Sequence, residues 1–245
     1  MKKVPTNGIT PKLVVIMPCK NEADNLEVVI TKLNTLKPVA IIVGLDPTTT
    51  DNTSGVASRL GCDAVSSEYS GYDPAVHEAT VLALKKFPNS LLLYTDAGDK
   101  YGYGQVPKMI SMINNGSDMV LGVRIDKANT MLWHQKLGTK FILILINLLT
   151  IQNIQDVSPF RLVKSSVFDD VKMQPKKFRW PSELLVKSLA CGLIVSQVDI
   201  TALPRKGTSK VSGSIINSLR AGFEMLSSLQ FINYKKELKH ETENR

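Results

Sequence analysis

The chain has 245 residues, 43% of them hydrophobic and 21% charged, with a formal net charge of +8. That length can bury a core without disulfide or metal staples, and the ordinary composition excludes disordered, collagenous and coiled-coil chains. The basic balance favours anionic partners such as nucleotide phosphates or acidic lipid headgroups. Three cysteines, Cys19, Cys62 and Cys191, form no CxxC pair. This argues against a zinc knuckle or a disulfide framework and for a reducing, cytoplasmic setting. No apolar segment of signal-peptide type follows the basic N-terminus, so none is expected. The most apolar run, residues 141–149, has about half of the ~20 residues that a membrane-crossing helix needs. It reads as a core helix or one dipping into an interface.

Residues 13–17 are continuously apolar, β-branched in the middle and ended by Pro18, and predict a buried strand. Residues 21–24 supply acceptors for a helix N-terminus, and Leu26, Val29, Ile30 and Leu33 repeat at helical spacing. Further on, strands are predicted over 39–45, 64–65, 91–95 and 119–123, with helices over 51–60, 75–87 and 106–113. Strands alternating with helices argue for a parallel α/β sheet, whose ligands sit beyond the C-terminal strand ends. Lys20-Asn21-Glu22, residues 46–53 and residues 96–99 fall at such ends. The second half is less regular. A long helix is predicted over 133–149, a strand over 160–163, a helix over 181–190 with Pro181 early in it, and a strand over 193–200. Residues 212–231 are amphipathic, with Ile215, Ile216, Leu219, Phe223, Met225 and Leu226 on or near one stripe.

Carboxylate-bearing turns at neighbouring strand ends suit a sugar-linked diphosphate only if a divalent cation lies between the charges, and hard Mg2+ or Mn2+ is the natural choice. The residues themselves carry a resemblance. "VVIMPCKNEADNL" (residues 14–26) resembles the opening "P-x-x-N-E" of family-2 glycosyltransferases of the GT-A fold, and "GLDPTTTDNT" (44–53) their "D-D-G-S-x-D-x-T" turn. "LLLYTDAGD" (91–99) stands where they carry "D-A-D", and "GSDMVLGVR" (116–124) resembles "A-D-x-V-x-G-S-R". "DVSPFRLVK" (156–164), "RWPSELLVKSLACG" (179–192) and "PRKGTSKVSG" (204–213) resemble the family's later elements. The branch it is most similar to is that of the dolichyl- or polyprenyl-phosphate mannosyltransferases and their soluble bacterial relatives. Two departures stand out. Pro47 replaces the second aspartate of the turn, and the D-A-D triplet reads Asp96-Ala97-Gly98-Asp99.

The resemblance implies a GT-A fold: a Rossmann-like, mostly parallel sheet flanked by helices in one domain over 12–234. Residues 12–124 would be its nucleotide-sugar half and 125–234 its acceptor half, with an extension at 1–11 and a charged tail at 235–245. It also implies that Pro18, Lys20 and Glu22 line the base and ribose and that Asp46 reads the base. Asp96, Ala97, Gly98 and Asp99 match ribose and metal positions, so a Mg2+ or Mn2+ ion is expected at Asp96 and Asp99. Arg124, Arg205 and Lys210 match cations that hold the diphosphate or an anionic acceptor. Local readings stand beside these: Asp51 with Thr53 as a helix cap, Arg124 as a surface cation, Ser209-Lys210 as a turn, Asp156 pairing with Arg161, and Glu183 complementing a helix dipole.

The activity this implies is inverting transfer of a hexose from a GDP- or UDP-sugar to an acceptor. A lipid-phosphate acceptor such as a polyprenyl phosphate is already ionised. A hydroxyl acceptor needs a base, for which Glu183 and Asp156 are the candidates. The basic balance and the 212–231 stretch allow peripheral docking on the cytoplasmic membrane face, unless that stretch packs on the sheet. Two further classes remain on sequence grounds. A sugar-nucleotide pyrophosphorylase would need a Gly-rich loop after the first strand, which Pro18-Cys19-Lys20-Asn21 is not. A degenerate nucleotide-binding module without transfer activity has Gly98 as its argument. Nucleic acid is not an expected partner, because aromatic residues are only 6% and no binding motif occurs.

Overall fold

The computed structural model describes residues 12–98, 101–125, 133–173, 179–202 and 226–234. Its strands are β1 (Leu13–Cys19), β2 (Ala40–Leu45), β3 (Asp63–Ser66), β4 (Leu91–Tyr94), β5 (Met119–Arg124), β6 (Arg161–Lys164) and β7 (Val195–Ile200). The α-helices are α1 (Ala23–Asn34), α2 (Thr53–Arg59), α3 (Tyr72–Lys86), α4 (Val106–Asn114), α5 (Trp133–Thr150), α6 (Val167–Asp170) and α7 (Trp180–Ala190). Short 3-10 turns lie at Tyr103–Gln105 and Ser228–Asn233.

All seven strands join one sheet in the order β3-β2-β1-β4-β6-β5-β7. Every pairing is parallel except those of β6, which runs against both β4 and β5. The expected parallel sheet is thus present with one strand reversed. β1 also continues through Pro18, which pairs in register with Gly44, rather than stopping before it.

The alternation of β1 builds two cores. Leu13, Val15, Met17 and Cys19 face α1 and α4, meeting Leu26, Val29, Ile30, Met109 and Ile113. Val14 and Ile16 face the other way, onto Val76, Ala79 and Ala83 of α3 and Leu184 and Leu185 of α7. Each fully buried aliphatic side chain contributes roughly 1.5–3 kcal/mol of transfer free energy, which holds the helices on both faces. At one point the contact has no slack: a Cβ on Gly44 would stand 2.1 Å from the Ala75 carbonyl oxygen. α3 therefore lies directly on β2. α3 also starts at Tyr72, before the predicted 75–87, because Pro74 falls in its first turn, where a missing amide hydrogen costs little.

A candidate donor site at the strand ends

The ends of β1, β2 and β4 bring three loops together. In the first, Asn21 adopts the left-handed conformation (φ 51°), which asparagine tolerates better than most residues. Its Oδ1 accepts the Thr50 amide at 2.7 Å. The Glu22 amide donates to the Thr53 hydroxyl at 2.8 Å, and the Ala23 amide donates to Asp51 Oδ2 at 3.0 Å. Asp51 Oδ1 accepts the Thr53 amide at 2.9 Å and also its hydroxyl. Asp51 is a cap twice over, for the first turns of α1 and α2, and it staples the first loop to the second. Glu22 is buried beside it, with Asn25 Nδ2 donating to its Oε2 at 2.7 Å.

Asp46 follows β2 and is only 4% exposed. Its Oδ1 accepts the Thr48 amide at 2.8 Å and the Thr48 hydroxyl at 2.5 Å. Its Oδ2 accepts the Ser70 hydroxyl at 2.9 Å and the Gly71 amide at 2.8 Å. Lys20 Nζ stands 3.6 Å from Oδ1. Burial alone would raise the carboxyl pKa, but the Thr48, Gly71 and Ser70 donors outweigh it and hold Asp46 below the usual carboxylate range. Asp46 is a fixed negative charge at neutral pH.

Beyond β4, Asp96 is half-buried, while Ala97 and Gly98 are buried. The Tyr101 hydroxyl donates to Asp96 Oδ2 at 3.5 Å. Burial first, then the Asp96 charge, push the Tyr72 and Tyr101 hydroxyls well above their ordinary pKa. Both phenols stay protonated beside Asp96. Among the described residues no group of three or more His, Cys, Asp or Glu side chains could hold a metal ion. Asp99, Arg205 and Lys210 lie outside the described residues, as does most of the amphipathic 212–231 stretch.

The second half differs from expectation in its pairings. Arg124, ending β5, makes a two-pronged pair with Asp156: Nε to Oδ2 and Nη2 to Oδ1, each 2.8 Å, with the Arg124 amide on Oδ2 at 3.1 Å. Arg124 is therefore not a solvated surface cation; its side chain is 17% exposed. Burial disfavours its charge, but Asp156 more than compensates and raises its pKa. Asp156 does not pair with Arg161. That guanidinium is buried in the sheet and donates to the Pro181 carbonyl at 2.7 Å and the Ser158 carbonyl at 2.5 Å. Burial pulls it down to about 10, still cationic at neutral pH. Glu183 does more than complement a dipole. It is wholly buried and takes Arg179 Nε at 2.8 Å and Lys187 Nζ at 2.7 Å, one helical turn to either side.

Ser70, Gly71 and Tyr101 join the site unforeseen. The Ser-Gly before α3 was the available signal, since Gly71 takes a positive φ of 140° at the entry to a helix.

The glycosyl transferase family 2 profile matches residues 14–172, from β1 through the end of α6. The chain belongs to glycosyl transferase family 2. An uncharacterized glycosyltransferase of Mycobacterium tuberculosis is 28% identical over 211 residues, covering 85% of this chain and 94% of its own. A dolichyl-phosphate hexose transferase of Haloferax volcanii is 27% identical over 205 residues, covering 81% and 86%. In fold, this family 2 glycosyltransferase is similar to the crystal structure of glucosyl-3-phosphoglycerate synthase from Mycobacterium tuberculosis in complex with Mn2+, UDP and glucosyl-3-phosphoglycerate. The TM-score is 0.67 at 17% identity, over 90% of this chain and 80% of that one. The GT-A architecture is thereby established. No helix among the described residues is long and apolar enough to cross a membrane.

Proposed function

We propose that this glycosyltransferase moves a hexose, with inversion, from a GDP- or UDP-sugar to a phosphate-bearing lipid acceptor. The nucleoside would lie over Pro18, Lys20 and Glu22 with Asp46 reading its base, and the diphosphate would lie toward Asp96, Ala97 and Gly98. A divalent cation fits that end. Mg2+-type sites take one or two protein carboxylates and fill the remaining positions with substrate phosphate and water. Asp96 supplies a hard oxygen donor at the strand end, and Asp99 is the second candidate. When bound, the ion would neutralise charge developing on the departing diphosphate. Arg124, with Arg205 and Lys210, would hold anionic oxygens, Arg124 being aimed by its two bonds to Asp156.

The observation that carries the phosphate acceptor is the state of Asp156 and Glu183. Each is fully buried and bound to cations, so neither is poised to take a proton from a hydroxyl. A phosphate acceptor needs no such base. The similarity to a dolichyl-phosphate hexose transferase supports the same reading.

Calorimetry with UDP and GDP, in Mn2+ or in EDTA, tests the donor: one nucleotide should bind, and more tightly with metal. Transfer to a short-chain polyprenyl phosphate, set against the free alcohol, tests the acceptor. No heat with either nucleotide would sink the donor assignment. Equal use of phosphate and alcohol would sink the phosphate acceptor and return Glu183 or Asp156 to the role of base.

A further inference from the structure

Asp73 is a wholly buried carboxylate that no part of the transfer reaction described above uses. It lies in the first turn of α3, and its Oδ2 accepts two amides from a distant part of the chain: Arg179 at 2.6 Å and Trp180 at 2.7 Å. These are the amides at the N-terminus of α7, which an α-helix cannot satisfy from within. Asp73 thus acts as a cap supplied from another helix. Two and three residues earlier, the Gly71 amide and the Ser70 hydroxyl hold Asp46 Oδ2. Between them, Tyr72 is close enough to feel both Asp96 and Arg161. The start of α3 therefore touches both the Asp46 turn and the N-terminus of α7.

Five buried side-chain polar atoms among the described residues lack a hydrogen-bond partner, and four belong here: Asp73 Oδ1, His77 Nδ1, Arg179 Nη2 and Trp180 Nε1. The four residues are contiguous, since the His77 and Trp180 rings meet edge to face at 5.3 Å and Asp73 binds both amides of the Arg179-Trp180 step.

We infer that Asp73 is a positioning residue of the donor site. It anchors the start of α3 to α7 and thereby fixes the turn whose Ser70 and Gly71 donors aim Asp46 at the nucleotide. The inference rests on the nucleotide role proposed for Asp46.

The test compares Asp73→Ala, Asp73→Asn and Ala83→Gly by calorimetry with UDP and GDP in Mn2+, each well below its melting temperature. Ala83→Gly is a control for stability, since glycine in a helix interior is destabilising and Ala83 lies buried on the same helix. Asp73→Ala should weaken nucleotide binding at least tenfold. Asp73→Asn, whose carbonyl can accept both amides, should stay within about threefold of wild type, and Ala83→Gly should match wild type. Unchanged affinity in Asp73→Ala, or a loss no greater than that of Ala83→Gly, would overturn the positioning role alone. So would an Asp73→Asn protein as weak as Asp73→Ala. Failure of the wild-type protein to bind either nucleotide would overturn the donor reading, and this inference with it.

Discussion

The two halves of the site edge hold their carboxylates in opposite ways. In the first half, Asp46 is gripped by neutral donors, two hydroxyls and two amides, with Lys20 standing off at 3.6 Å. In the second half, Glu183 lies between two cations and Asp156 in a two-pronged pair with Arg124. Neutral donors orient a carboxylate and leave its charge in place for a ligand. Cations orient it and cancel that charge. The same residue type therefore keeps its charge on one side and has it neutralised on the other. The partner, rather than the side chain, decides which.

That contrast can be broken at three points. The largest effect is expected at Glu183. Glu183→Gln strands Arg179 and Lys187 in the core, and loss of one member of a buried ion pair costs about 3–5 kcal/mol. Urea unfolding at constant m measures it, and a cost below about 1 kcal/mol would erase the distinction. Asp96→Asn should behave in the reverse manner. We expect transfer to fall at least a hundredfold, or about 2.7 kcal/mol of transition-state stabilisation, with the melting temperature close to that of wild type. A large drop in melting temperature would mean that Asp96 serves the fold as Glu183 does.

The third effect is on pH dependence. Burial pushes the Asp73 carboxyl up to about 7, against the pull of the Arg179 and Trp180 amides; Glu183 adds to the rise and Arg179 opposes it. Between its ordinary 3.8 and about 7, the folded chain keeps a proton that the unfolded chain has lost. Stability from this group is thus present at low pH and lost as pH rises through that window. Asp46, with its lowered pKa, acts with the opposite sign, and only as pH falls below the usual carboxylate range. Thermal melts from pH 4 to 7.5 should show a shallower decline for Asp73→Asn than for wild type. Identical slopes would refute the assignment.

Much of the first half was legible because its signals are local. The apolar runs of β1, β2 and β4 and the helical spacing of Leu26, Val29, Ile30 and Leu33 each lie within a dozen residues, and Asp46 and Asp96 follow directly from the strand ends. What escaped depends on contacts between remote segments. Asp73 lies just before the predicted helix start at residue 75, and nothing nearby points to amides 106 residues further on. Asp156 lies close in sequence to Arg161, but the sheet carries Arg124 to it instead. The reversed direction of β6 was hidden for a related reason. A four-residue strand has the same composition whichever way it runs, and only its neighbours decide.

That reversal has a consequence for how the protein can change. β5 ends at Arg124 and β6 begins at Arg161, which pairs in register with Leu121 and with Tyr94 of β4. The segment between them therefore begins and finishes at the same end of the sheet, and Asp156 closes onto Arg124 there. Had β6 run parallel to its neighbours, this segment would have been obliged to traverse the length of the sheet. Between its ends the segment gives Ile142 and Ile146 of α5 to the core. Its length can therefore vary without shifting the pairing of β5 with β6, provided that those two side chains keep their places.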